Sequence, residues 1–115
     1  MNNKFQLKLA EEGYCDERPA GFCATAKRLP RGEYGVVCLC VKGGMLHVYD
    51  VLDMKGTCGE LLYEVRLRDV QKLKARGGLY FNILKFEYEG EKYAFNNFMF
   101  VKPALNVIKE EANKQ

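Results

Sequence analysis

No apolar run in this sequence is longer than the six residues Val36-Val37-Cys38-Leu39-Cys40-Val41. A helix that crosses a bilayer needs about 20 apolar residues, so no helical membrane span is expected. The first eight residues, Met1 to Lys8, alternate polar or charged residues with apolar ones where a secretory signal would carry a continuous apolar stretch, and export is not expected. Regular cysteine spacing is missing too. Cys15, Cys23, Cys38, Cys40 and Cys58 are odd in number and unevenly placed, so no complete disulfide framework can be written for them, and a reducing, cytoplasmic setting fits best. Nor is there an excess of one charge: 18 basic and 15 acidic residues leave a net charge of +3, too balanced to draw nucleic acid by bulk electrostatics. No nucleic-acid partner is expected, and any preference for polyanions must come from local clustering.

The chemistry of catalysis is equally sparse. There is one histidine, His47, set among Met45, Tyr49 and Val51, and no cysteine stands in a recognisable nucleophile motif beside it. The paired glycines at Gly43-Gly44 and Gly77-Gly78 follow strand-like segments but open no helix, so they are hairpin residues and not a phosphate loop. Cys38 and Cys40 are two apart in an apolar run, where cysteine acts as a small apolar residue; the turn-borne C-x₂₋₄-C spacing of structural zinc is absent. No enzyme activity, metal or cofactor is expected.

What is present is a globular composition, 48% hydrophobic and 29% charged, in 115 residues, enough for one core and one domain spanning 1–115. From Leu61 to Leu67, Leu61, Tyr63, Val65 and Leu67 alternate with Leu62, Glu64 and Arg66, the period of two that a half-buried strand requires. Leu84, Phe86 and Tyr88 alternate with Lys85, Glu87 and Glu89, and the pattern resumes at Tyr93 and Phe95, so Glu89-Gly90 reads as a hairpin turn. Leu79, Phe81 and Ile83 hold the odd positions before that run, and the switch of phase predicts a β-bulge near Asn82 to Leu84. Val36 to Val41 and Met45 to Leu52 flank Gly43-Gly44 as another hairpin. Phe22 to Lys27, Val70 to Lys74 and Phe5 to Leu9 complete a count of about seven strands, within residues 4–100.

The last element changes period. Val101, Leu105, Ile108 and Ala112 recur at helical spacing, Asn106, Lys109, Glu110 and Asn113 form the opposite face, and Pro103 suits a first helical turn. A helix over about 102–113 with one apolar stripe must dock on the strands.

The segment Leu61 to Leu73, then Gly77-Gly78, then Leu84 to Phe95, followed by the helix, resembles the bacterial pleckstrin-homology-like (PH-like) family, over roughly Met45 to Ala112. The resemblance implies a mostly β fold: a PH-like barrel of about seven antiparallel strands in two near-orthogonal sheets, capped by one C-terminal α-helix. It carries over no catalytic set, and the stretch Gly13 to Pro19 matches nothing in it. It also implies that an anionic head group, when one is bound, is held by basic residues near strand ends. Two clusters fit: Lys27, Arg28 and Arg31 in one turn, and Lys72, Lys74 and Arg76 before Gly77, with Arg66 and Arg68 nearby. A solvated face is the plainer reading of such charge.

The function expected from the sequence is a small non-catalytic cytoplasmic module that works through protein–protein contact, a second copy of itself included. Peripheral binding to a membrane or anionic lipid is the alternative. Consecutive apolar residues on a strand cannot all face one core, which marks Tyr80, Phe81, Phe98, Met99 and Phe100 as candidate interface residues.

Overall fold

The structure, a computed structural model, describes residues 21–51, 58–77, 82–97 and 102–113. Seven strands form among the described residues, and glycines at positive φ stand in the connections that follow the first, second and sixth of them. In chain order the strands are β1 (Gly21–Arg28), β2 (Gly35–Lys42), β3 (Met45–Val51), β4 (Cys58–Arg66), β5 (Gln71–Gly77), β6 (Asn82–Tyr88) and β7 (Glu91–Asn97); a 3₁₀ turn at Leu67–Asp69 links β4 to β5, and one helix, α1 (Lys102–Ala112), follows. Gly43 and Gly44 take φ of +60° and +75° between β2 and β3, the two positive values that a two-residue hairpin with the right twist demands.

All seven strands are antiparallel to their neighbours in a single hydrogen-bonded sheet of order β4-β3-β2-β1-β7-β6-β5. The expected division into two sheets is not seen in the hydrogen bonding, which runs unbroken from β4 to β5, and the sheet does not close, because these two strands form its ends. One face carries the core, with Ala24, Ala26, Leu39, Val48, Val65, Leu84, Phe86 and Phe95 buried on it. Leu105 and Ile108 of α1 join that core, as their helical spacing predicts, and Asn106, Lys109, Glu110 and Asn113 are exposed. The helix lies against β5 and the 3₁₀ turn. β2 is buried on both faces: Val37, Leu39 and Val41 point one way, Cys38 and Cys40 the other.

The register is broken by bulges at other positions than the one expected. Asn82, Ile83 and Leu84 pair regularly with both β5 and β7, so the phase switch does not fall between them. One extra residue lies instead at Lys27 of β1, where Ala26 pairs with Phe95 and Arg28 with Ala94. Another lies at Lys72-Leu73 of β5, with Lys72 at φ +56°. β4 shifts register at Leu62 and again before Leu61, which is why its alternation, regular in the sequence, leaves Leu61 exposed and Leu62 packed on the core. The expected strand Phe5 to Leu9, and the residues Tyr80, Phe81, Phe98, Met99 and Phe100, lie outside the described residues.

Candidate functional site

Paired residues in an antiparallel ladder share a face, so the register alone decides which charges meet. Arg28 of β1 pairs with Ala94 of β7, Ala94 with Lys85 of β6, and Lys85 with Lys74 of β5. The four residues form one row across the sheet, on the face away from the core, and its three basic members are exposed. At about 4.8 Å between strands, the row spans roughly 14 Å. A second row runs Lys92, Glu87, Gln71, and a third places Arg76 beside Ile83 and Asn96.

Two separate basic clusters in the sequence thus contribute to one outer face. Arg28 comes from the first, Lys74 and Arg76 from the second. Lys72 belongs to the same neighbourhood: its bulged backbone sends Nζ to 3.2 Å from Oε2 of Glu87. Arg28, Lys72, Lys85 and Lys92, with Glu87, Phe86, Tyr93 and Ala94, line a cleft of about 270 Å³. Lys85 and Lys92 were legible only as outward positions of alternating strands; what makes them part of the site is the pairing of β7 with β1, a contact between residues nearly 70 apart in the chain, from Arg28 to Ala94.

Lys27 and Arg31 do not join this face. Lys27, displaced by the bulge, donates from Nζ to the Tyr34 hydroxyl at 3.3 Å and lies 5.3 Å from that ring's centre. Arg31, in the β1–β2 loop, donates from its backbone N–H and its Nε to the hydroxyl of Tyr63, at 3.0 and 3.2 Å, and from Nη2 to the Leu62 carbonyl at 2.8 Å. Tyr63 in turn donates to Oε1 of Glu33 at 2.5 Å, and Arg31 pairs with Oε2 of Glu33 at 3.2 Å. Burial pushes the Glu33 carboxyl upward, but the Tyr63 hydroxyl, its own backbone amide and Arg31 together hold it below the usual carboxylate range. Arg31 is therefore a loop fastener. Arg66 and Arg68 sit elsewhere again, lining a second cleft of about 370 Å³ with Gly43, Gly44, Met45 and Glu111.

His47 pairs across the ladder with Cys40 on one side and Glu64 on the other, and its Nε2 is 3.7 Å from Oε2 of Glu64. Cys38 and Cys40 are fully buried on that face, as small apolar residues of a strand would be. Among the described residues no three of His, Cys, Asp and Glu are arranged to hold a metal ion, and no helix is long and apolar enough to cross a membrane.

Comparison of the chain with protein-family models, with curated proteins and with solved structures finds no match.

Proposed function

We propose that this chain is a non-catalytic PH-like binding module that docks an anionic membrane surface on the outer face of β1, β7, β6 and β5. The observation that carries the reading is the cross-strand row Arg28-Ala94-Lys85-Lys74, flanked by Lys72, Arg76 and Lys92. Cations so placed repel one another, at a cost of a few tenths of a kcal/mol for each directly opposed pair such as Lys85 and Lys74, and a negative surface relieves that repulsion. Each basic residue near an anionic leaflet contributes about 1 kcal/mol, so the effect is appreciable only when several act together, as one face allows. The order of the strands and the single helix after them support the PH-like part of the reading.

Protein–protein contact, a second copy included, is the second reading. It is favoured by Tyr34, just before β2, and Val36, near its start, which are 72% and 57% exposed. The two separate in one experiment, sedimentation of the chain with anionic vesicles over a range of salt. Retention at low salt that falls steeply as salt rises, and that Lys74→Glu with Lys85→Glu abolishes, supports membrane docking. A chain that ignores the vesicles and sediments alone as a dimer or ring supports contact between proteins.

A further inference from the structure

Four basic side chains from four strands surround one small residue. Ala94 of β7 has Arg28 of β1 on one side and Lys85 of β6 on the other; Lys92 lies two residues back along its own strand, and Lys72 reaches in from the bulge of β5. Where a longer side chain would stand at the centre, a methyl group leaves a floor, and the result is the cleft of about 270 Å³. That volume lies just under the range of about 300–1,000 Å³ usual for small-molecule sites, so the occupant is compact.

The charges in the cleft do not balance. Lys72 is matched by Glu87, but among the described residues Arg28, Lys85 and Lys92 have no carboxylate within ion-pair distance. A carboxylate or a phosphodiester would bring a single negative charge to these three cations. A phosphate monoester brings about −1.5 to −2 and three strong acceptor oxygens. The planar guanidinium of Arg28 can clasp two of those oxygens while the lysines act as point charges on the third. A nucleobase has no platform here: the rings of Phe86 and Tyr93 stack on each other at 4.9 Å and are only 3% and 6% exposed, so neither face is offered for stacking.

We infer that the cleft between Arg28, Lys72, Lys85 and Lys92 is a seat for a phosphate monoester group, carried by a free phosphate compound or by a lipid head group. The inference rests on the anionic-surface reading above and narrows it to one point of the face. Lys72 holds its place through Glu87, and Arg28 supplies the directional contact.

The test uses the full chain and phosphatidylcholine vesicles that carry either phosphatidic acid, whose phosphate is a monoester, or phosphatidylserine at matched total charge. The expected result is stronger retention on phosphatidic acid. Arg28→Ala and Lys92→Ala should each weaken it about tenfold, the loss of one charge-assisted hydrogen bond, while Arg76→Glu, outside the cleft, should weaken both vesicle types alike. Arg28→Lys, which keeps the charge but not the fork, should lose most of the preference, and far-ultraviolet circular dichroism establishes that each variant is folded. Inorganic phosphate that displaces the chain from phosphatidic acid, and raises its melting temperature more than sulfate at equal ionic strength, assigns a free phosphate compound. Retention that phosphate does not compete assigns the head group, and either result supports the seat. Equal retention on the two lipids, with Arg28→Ala no weaker than Arg76→Glu, overturns the seat and leaves the anionic face standing. If no anionic vesicle retains the chain at low salt, both readings fall.

Discussion

The ring of Tyr63 stands edge-on to the ring of Tyr93, with centroids 5.5 Å apart and planes at 83°, although β4 and β7 are four places apart in the strand order. Four strand spacings in a flat sheet amount to about 19 Å, so the contact measures how far the sheet has curled over its own core. The same tyrosine anchors the β1–β2 loop through Arg31 and Glu33. Tyr63→Phe keeps the ring contact and removes the hydroxyl. It should lower stability by about 0.5–1.5 kcal/mol, the worth of an intramolecular hydrogen bond, as read by urea denaturation. The β1–β2 loop should also be cut faster by proteases.

Glu33 gives that fastening a pH dependence. Its carboxyl is held below the ordinary value of about 4.3, so the folded chain binds fewer protons there than the unfolded chain does. Stability from Glu33 is therefore fully present above that value and is lost as pH falls through the lower, folded one. Melting temperatures measured between neutral pH and pH 3 should drop more steeply for the wild type than for Glu33→Gln. Parallel curves would show that the carboxylate contributes nothing.

At the alkaline end Tyr93 acts in the opposite direction. Burial first, then the neighbouring Tyr63, Glu89, Tyr88 and Glu91, pushes its phenol up to about 12 from an ordinary value of about 10. Between these values the unfolded chain gives up a proton that the folded chain keeps, so stability falls as pH rises above 10. Tyr93→Phe preserves the stack on Phe86 and should flatten the decline; the difference between the two alkaline unfolding curves reports Tyr93 apart from other titrating groups.

Two side chains stand where backbone sterics favour glycine: Glu89 at φ +53° in the β6–β7 turn and Lys72 at φ +56° in the β5 bulge. The left-handed conformation costs a residue with a Cβ about 1 kcal/mol, and less for asparagine. Glu89→Asn makes the turn Asn-Gly, the preferred pair for a two-residue hairpin, and should raise stability by about 0.5–1 kcal/mol. Lys72→Gly relieves the same strain but deletes a cation from the cleft. It should hold or raise the melting temperature while weakening retention on anionic vesicles, the pattern expected where strain is kept for binding. A variant that melts lower and binds unchanged would count against both claims.

Most of the elements were legible in the sequence because they rest on local rules. The alternation of Leu84, Phe86 and Tyr88, the Glu89-Gly90 turn and the helical spacing of Leu105 and Ile108 each need only neighbours in the chain. The bulges were not legible, because an extra residue exists only relative to a partner strand. Leu61 to Leu67 alternates in the sequence with Leu62 its one apolar exception, yet the pairing of β4 with β3 shifts twice. The site was half legible for the same reason. Arg28, Lys72, Lys74 and Arg76 stood out as charge, but Lys85 and Lys92 joined them only through the pairing of β1 with β7, which no local pattern announces. Lys27 and Arg31, equally prominent as charge, were drawn off by the Tyr34 and Tyr63 hydroxyls.

The double burial of β2 sets the order in which the molecule opens. Val37 to Val41 is walled on both faces and bonded to β1 and β3, whereas β4 and β5 end the sheet and carry bulges. Amides of β2 should exchange with deuterium only when the whole domain comes apart, while the terminal strands should fray alone. Exchange followed by mass spectrometry should therefore record two fronts of label, one entering at β4 and one at β5, that meet last at Cys38 to Cys40. Protection of the slowest amides there, converted to a free energy, should match the global unfolding free energy, and the smaller values in the terminal strands give the cost of each local opening.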